Sequence, residues 1–218
     1  MSKKKSGVGS FIKDTLALLM ITLVSSVLLG YVREITAEPI AEREEHAKRE
    51  AYLAVFGDAS SIAESKNVPE LQTAIYEAAR ILTPEYTEVT VDEACLAKDA
   101  SGNTIGYIIT VTDKKGYGGA IQMVFGYSTD GTVTGIEFLQ LNETAVFGLE
   151  AEKNPEWRKQ FIGVTADSFT VTKNGAKREN EIDALSGETI TSKAVTEGIN
   201  GGLLFARYLT EQGIGGAR

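Results

Sequence analysis

The sequence predicts an α+β protein: an N-terminal transmembrane helix, then a domain with a mainly antiparallel sheet and flanking helices. Three observations carry this. A run without a charged side chain occupies Thr15–Val32. After Pro84, segments rich in β-branched and aromatic residues follow one another, separated by turn signals. From Thr189 onward, apolar residues recur at helical spacing. Strands in a run, with helices set apart from them, define the class.

The first element is MSKKKSGVGSFIKD followed by TLALLMITLVSSVLLGYV. The apolar run is within the roughly 17–25 residues that span a bilayer as a helix. Phe11 and Ile12 precede it, and Tyr31 stands at its far boundary, where aromatic rings favour the membrane interface. A cleaved signal peptide is the competing reading. Its apolar core would be about 7–15 residues with a small-x-small cleavage site. This run is longer and leads into YVREITAEP without such a site, so an uncleaved anchor is expected. Lys3, Lys4, Lys5 and Lys13 should then remain cytoplasmic, with the chain beyond Arg33 on the other side.

Glu38 to Val55 reads as a charged helix with Pro39 in its first turn. Tyr52, Leu53, Val55 and Phe56 form an apolar end suited to docking on the domain. Gly57–Pro69 reads as a loop, and PELQTAIYEAARIL as a second helix. Four strands follow: EVTVDEACLA, NTIGYIITVT, GAIQMVFGYS and TVTGIEFLQL. SGN, KKGYGG and TDG separate them. Ser128–Gly131 is a hairpin turn, because Asp-Gly accepts positive φ at little cost. NPEWRKQFIG reads as a short helix with Asn154 as cap and Pro155 first, and SFTVT as another strand. The last helix runs from near Thr189 to about Leu209. Its packing side is Ile190, Ala194, Val195, Ile199, Leu203 and Phe205, and Gly198, Gly201 and Gly202 permit close approach. The expected organisation is a basic tail at 1–14, a transmembrane helix at 15–32, a helical linker and domain entry at 33–84, and an extracytoplasmic domain at 85–218.

Composition narrows the chemistry. The net charge of −8 over 218 residues disfavours a nucleic-acid partner, since phosphate backbones select basic faces. Cys95 is the single cysteine, so neither an internal disulfide nor a thiolate cluster can form. His46, the single histidine, lies in a charged run and reads as a solvated residue. No metal ligand and no catalytic residue is assigned.

The stretch DALSGET, Asp183–Thr189, is the most informative. It places hydroxyls and a glycine at the entrance of the last helix. Helix capping accounts for a Ser or Thr there. On local spacing alone capping is the commoner reason, and an anion site is the other, because a helix N-terminus offers backbone N–H groups and partial positive charge.

DALSGET resembles the flavinylation signal D-x-x-[ST]-G-A-T of the FMN-binding subunits of respiratory ion pumps. These are the G subunit of the Rnf electron transport complex and the C subunit of the sodium-translocating NADH:quinone reductase. Asp183, Ser186, Gly187 and Thr189 match. The resemblance implies covalently attached FMN, esterified through its phosphate to the Thr189 hydroxyl, with Ser186, Gly187, Thr191 and Ser192 lining the phosphate. Glu188 departs from the family's alanine; it either points to solvent or is offset by Lys193, one turn on from Thr189. Asp183 would serve recognition by a metal-dependent flavin transferase acting on FAD, or brace the turn.

Two other stretches resemble the family in the same order. KGYGGAIQMVFGYSTDG matches its glycine-tyrosine-glycine loop, strand and hairpin, so Tyr117 and Gly118 would approach the flavin ring. LNETAVFGLEA stands where the family has E-T-P-G-L-G. Glu143, Thr144 and Gly148 match, and Ala145, Val146 and Phe147 do not; Glu143 and Thr144 would meet the ring. The resemblance covers essentially the whole chain, and its size and short linker are closer to the Rnf protein. It implies an electron-carrier subunit within an ion-translocating ferredoxin:NAD oxidoreductase. Implied partners are that complex's integral membrane and peripheral subunits, the flavin transferase, and membrane lipid. The alternatives are the quinone-reductase subunit and a non-redox, membrane-anchored extracytoplasmic binding protein. The second leaves the DALSGET, GYGG and NET combination as coincidence.

Overall fold

The computed structural model describes residues 8–141 and 150–216. The chain divides into two units, Met1–Ala47 and Lys48–Arg218. The described part of the first unit is helical. Helix α1 spans Val8–Val55, and its most apolar 18-residue window has a mean hydropathy of 2.2 with none of it buried. Among the described residues it is the one helix long and apolar enough to cross a membrane. The separate helix start expected at Pro39 does not occur: Pro39 lies inside α1. Proline removes one backbone N–H and crowds the carbonyl four residues back. The Ala, Glu, Arg and Lys residues that follow are strong helix formers, and they carry the helix onward.

The second unit is built on a five-stranded antiparallel sheet in sequence order. Its strands are β1 (Ser61–Glu64), β2 (Val89–Lys98), β3 (Thr104–Asp113), β4 (Ile121–Ser128) and β5 (Val133–Leu141). Helix α2 (Pro69–Leu82) lies between β1 and β2 in sequence. After β5 come α3 (Glu150–Lys153), α4 (Pro155–Arg158), the parallel pair β6 (Thr170–Thr172) and β7 (Glu181–Asp183), and the long helix α5 (Thr189–Glu211). The four sequence-derived strands therefore stand as β2 to β5. Strand β1 falls in the stretch read as a loop. It is an edge strand of four residues, and so short a segment shows no usable alternation.

The sheet is buried on both faces, and the pleat sorts residues between two cores. Tyr107, Ile109 and Val111 of β3 and Met123 and Phe125 of β4 join the larger core with α2 and α5. Ile108 and Val124, one position over, pack with Tyr52, Val55 and Phe56. These last three belong to the second unit, as the sequence reading of an apolar docking end requires, whereas Leu53, expected with them, is 52 % exposed. The approach there is close. A Cβ on Gly135 would fall 2.7 Å from the Val55 Cα, and one on Gly106 would enter the Phe56 ring. The Thr134 hydroxyl donates to the Val55 carbonyl. Removing side chains from the sheet surface is what lets a helix end rest on strand backbone.

Helix α5 crosses the other face and runs antiparallel to β3. Gly198 faces Met123 and the Asp113 Cβ, and Gly202 faces Phe125 and Val111. Farther along, the Tyr107 hydroxyl donates to the Ile214 carbonyl at 2.7 Å. Ile190, expected on the packing side, is instead 51 % exposed. The helix overshoots the sheet at its N-terminus, so there is no sheet surface beneath its first turn.

Candidate functional site

That overshoot defines the site. Gly198 is level with Asp113 and Met123, and Thr189 lies nine positions earlier, about 13 Å along the helix axis at 1.5 Å per residue. The β3–β4 loop, which carries Gly116–Gly119, emerges at this end of the sheet. Strand β5 also leaves here, since Leu141 pairs with Ile121 at the start of β4. Topology thus brings two of the three sequence-predicted segments, the glycine loop and DALSGET, to one end of the molecule. The third begins immediately after Leu141. Glu143, Thr144 and Gly148 themselves lie outside the described residues.

The DALSGET tract is held at both ends. At the first, the Asp183 N–H donates to Gln160 Oε1 and the Trp157 indole N–H donates to the Asp183 carbonyl, each at 2.7 Å. At the second, Ser192 is fully buried: its hydroxyl accepts from the Leu185 N–H at 3.0 Å and donates to the Glu188 carbonyl at 2.9 Å. Ser192 is therefore placed behind the turn, bracing it, and Thr191 is likewise buried. Between the clamps, Ser186 and Gly187 are exposed and Thr189 is half-buried. Gly187 has φ of +82°, a left-handed conformation that explains the glycine.

Thr189 is the first residue of α5, whose first turn carries no acidic side chain. Its cap residue, Glu188, supplies no side-chain cap. Glu188 does not point to solvent; it is buried at 6 % exposure, while Lys193 is exposed. The Glu188 N–H donates to the Leu185 carbonyl at 3.0 Å, which closes the turn ahead of α5.

The glycine loop is tied to α5 by the Lys115–Glu197 ion pair. Tyr117 is 65 % exposed on it. A Cβ on Gly116 would fall 2.8 Å from Ile121, so this backbone folds tightly against the sheet end. Asp113, at the root of the loop, is fully buried. Its Oδ1 accepts from the Lys115 N–H at 2.6 Å, and Oδ2 has no hydrogen-bond partner among the described residues. Burial pushes this carboxyl up to about 6; the Lys115 N–H opposes the shift, and Glu197 adds to it. Sequence reasoning did not find Asp113, Trp157 or Gln160. The one available signal was that the chain's single tryptophan sits directly behind a capped helix start.

A hydroxyl at the N-terminus of a long helix, beside an exposed glycine turn, suits a phosphate. The FMN-binding domain family matches residues 116–203, which contain both the glycine loop and Thr189. The G subunit of the Na(+)-translocating ferredoxin:NAD(+) oxidoreductase complex of Acetobacterium woodii is 32 % identical over 187 residues, covering 85 % of this chain and 86 % of that one. The chain belongs to the family of Rnf complex G subunits. A second G subunit, from the proton-translocating ferredoxin:NAD(+) oxidoreductase complex of Clostridium ljungdahlii, is 34 % identical and covers 67 % of this chain and 77 % of its own. Kinship extends to the C subunit of the Na(+)-translocating NADH-quinone reductase of Haemophilus ducreyi, 33 % identical over 47 % of this chain and 42 % of that protein. For a member of this family, the hydroxyls and the exposed glycine turn at the start of α5 fit the phosphate of FMN.

Proposed function

We propose that this chain is the membrane-anchored electron-carrier subunit of an Rnf-type ion-translocating ferredoxin:NAD oxidoreductase, with FMN joined through its phosphate to Thr189. Helix α1 serves as the single anchor. The lysine-rich N-terminus is cytoplasmic and residues 85–218 form the FMN domain outside it. FMN supplies one- or two-electron transfer when bound. The chain itself positions it: Thr189 tethers the phosphate, the α5 N-terminus favours its negative charge, and Ser186 and Gly187 leave room around it. Ser192 contributes through the turn it braces, and Thr191 is the buried residue beside it. Tyr117 and Gly118, with Glu143 and Thr144, are assigned to the ring.

Attachment is a transfer reaction. A flavin transferase breaks the P–O–P bond of FAD, the Thr189 oxygen forms the new P–O bond, its proton is released, and AMP leaves. A tether matters here because dissociated FMN would be lost by dilution outside the cytoplasm. Partners are the other subunits of the complex and the surrounding lipid.

The observation that carries this reading is Thr189 itself: a half-buried hydroxyl opening a 23-residue helix directly after an exposed Ser-Gly turn. Co-expression with a flavin transferase should give a flavin-fluorescent band that survives denaturing electrophoresis and disappears in Thr189→Ala. A wild-type chain without added FMN mass, isolated from active membranes, would overturn it.

A further inference from the structure

The residues that hold the DALSGET tract in place lie outside the tract. Helix α4 is capped by Asn154, whose Oδ1 accepts from the Trp157 N–H at 3.2 Å. Trp157 is buried at 4 % exposure and packs edge-on against Phe161, with ring centroids 5.6 Å apart. Phe161 packs in turn against Phe169, at 5.0 Å. The indole is thus fixed from behind, and its N–H has one direction open, toward the Asp183 carbonyl. Gln160 is fixed as well. Its Nε2 donates to the Trp157 carbonyl at 3.2 Å, which orients Oε1 toward the Asp183 N–H. Both backbone groups of Asp183 are therefore taken up by side chains of one short segment. Strand pairing secures the next residue, since the Ala184 N–H donates to the Thr172 carbonyl at 2.8 Å. The tract leaves this clamp, turns through Ser186 and Gly187, and is caught again by Ser192.

We infer that Trp157 and Gln160 are positioning residues for flavin attachment, holding Asp183 so that the turn and the Thr189 hydroxyl are presented to the flavin transferase in one conformation. This rests on the reading of Thr189 as the attachment site. A short exposed peptide must be ordered before another enzyme can act on it, and order supplied in advance raises the productive encounter fraction. The clamp touches neither FMN nor the transferred phosphoryl group; it acts through Asp183.

The test uses the full-length chain in detergent with purified flavin transferase, FAD and Mg2+. The rate of covalent FMN incorporation is followed by in-gel fluorescence and intact mass. Trp157→Phe keeps the ring and removes the N–H. Gln160→Ala removes the acceptor, and Gln160→Glu restores one. Losing one such hydrogen bond should lower kcat/KM for the chain as substrate by about three- to tenfold. Gln160→Glu keeps an acceptor but loses the Nε2–H that orients it on the Trp157 carbonyl, so it should recover only part of the wild-type rate. Hydrogen exchange at residues 183–188 should quicken in Trp157→Phe and Gln160→Ala.

Tyr107→Phe controls for general loosening. The Tyr107 hydroxyl donates to the Ile214 carbonyl, beyond the far end of α5, so its loss weakens the fold without touching Asp183 or the rings behind Trp157. Assayed at temperatures where all variants are equally folded, it should be modified at the wild-type rate. Wild-type rates in both Trp157→Phe and Gln160→Ala, or an equal loss in Tyr107→Phe, would overturn the clamp while leaving Thr189 as the site. A wild-type chain that takes up no flavin from a transferase proven active on another member of the family would instead overturn the reading beneath it.

Discussion

Ionising Asp113 is expensive because its carboxyl is fully buried, with Glu197 and Glu88 as negative neighbours and only Lys115 to offset them. Its pKa rises from the ordinary 3.8 to about 6. Between those values the unfolded chain has lost the proton and the folded chain still holds it. Stability from this group therefore falls as pH climbs through that window, and above it the folded state carries the whole cost. Asp113→Asn keeps an acceptor for the Lys115 N–H and removes the charge. Urea unfolding should show it more stable than wild type at pH 8, by on the order of 1–3 kcal/mol, with the difference shrinking toward pH 4. Glu188 makes a different prediction. Its carboxyl is buried beside the attachment residue. Glu188→Ala should speed FMN incorporation, because the incoming phosphoryl group no longer approaches a carboxyl group. Slower incorporation at equal folding would contradict this.

At the scale of elements, the packing of α5 on the sheet decides where Thr189 stands. Gly202 meets the Phe125 ring directly, and an added Cβ would overlap it. Gly202→Ala improves helix propensity by about 1 kcal/mol, while overpacking costs about 1–3 kcal/mol. We expect net destabilisation in chemical denaturation, together with a changed Phe125 environment in side-chain NMR. Gly187→Ala belongs with it, since alanine is strained at φ of +82°. That substitution lies in the tract itself, so it should slow FMN incorporation more than it lowers stability. The strands were legible because β2 to β5 carry enough residues for alternation and for the Asp-Gly turn to show. The Gly131 N–H does close that turn on the Ser128 carbonyl at 3.0 Å. Strand β7 was not legible: three residues, Glu181–Asp183, carry no period of their own and owe their shape to pairing with β6.

For the whole molecule, the proposal places the unit from Lys48 onward outside the cytoplasm. Tyr76 is 80 % exposed on α2, whereas the native Cys95 is fully buried, with burial pushing its thiol up to about 12. A membrane-impermeant maleimide applied to intact cells should therefore label Tyr76→Cys and leave the wild type unlabelled. Labelling only after lysis would reverse the orientation.

Local pattern was enough, by itself, to determine the anchor-length apolar run, the antiparallel strands, the hairpin and the Ser-Gly-x-Thr entrance to the last helix. Each rests on residues within a few positions of one another. Tertiary structure alone decided that Pro39 is absorbed into α1, that Glu188 and Thr191 are buried, and that Ser192 braces the turn. It also decided that Trp157 and Gln160 hold Asp183 and that Asp113 stands at the root of the glycine loop. These depend on which surfaces meet across the fold, and burial is a property of the partner surface as much as of the residue.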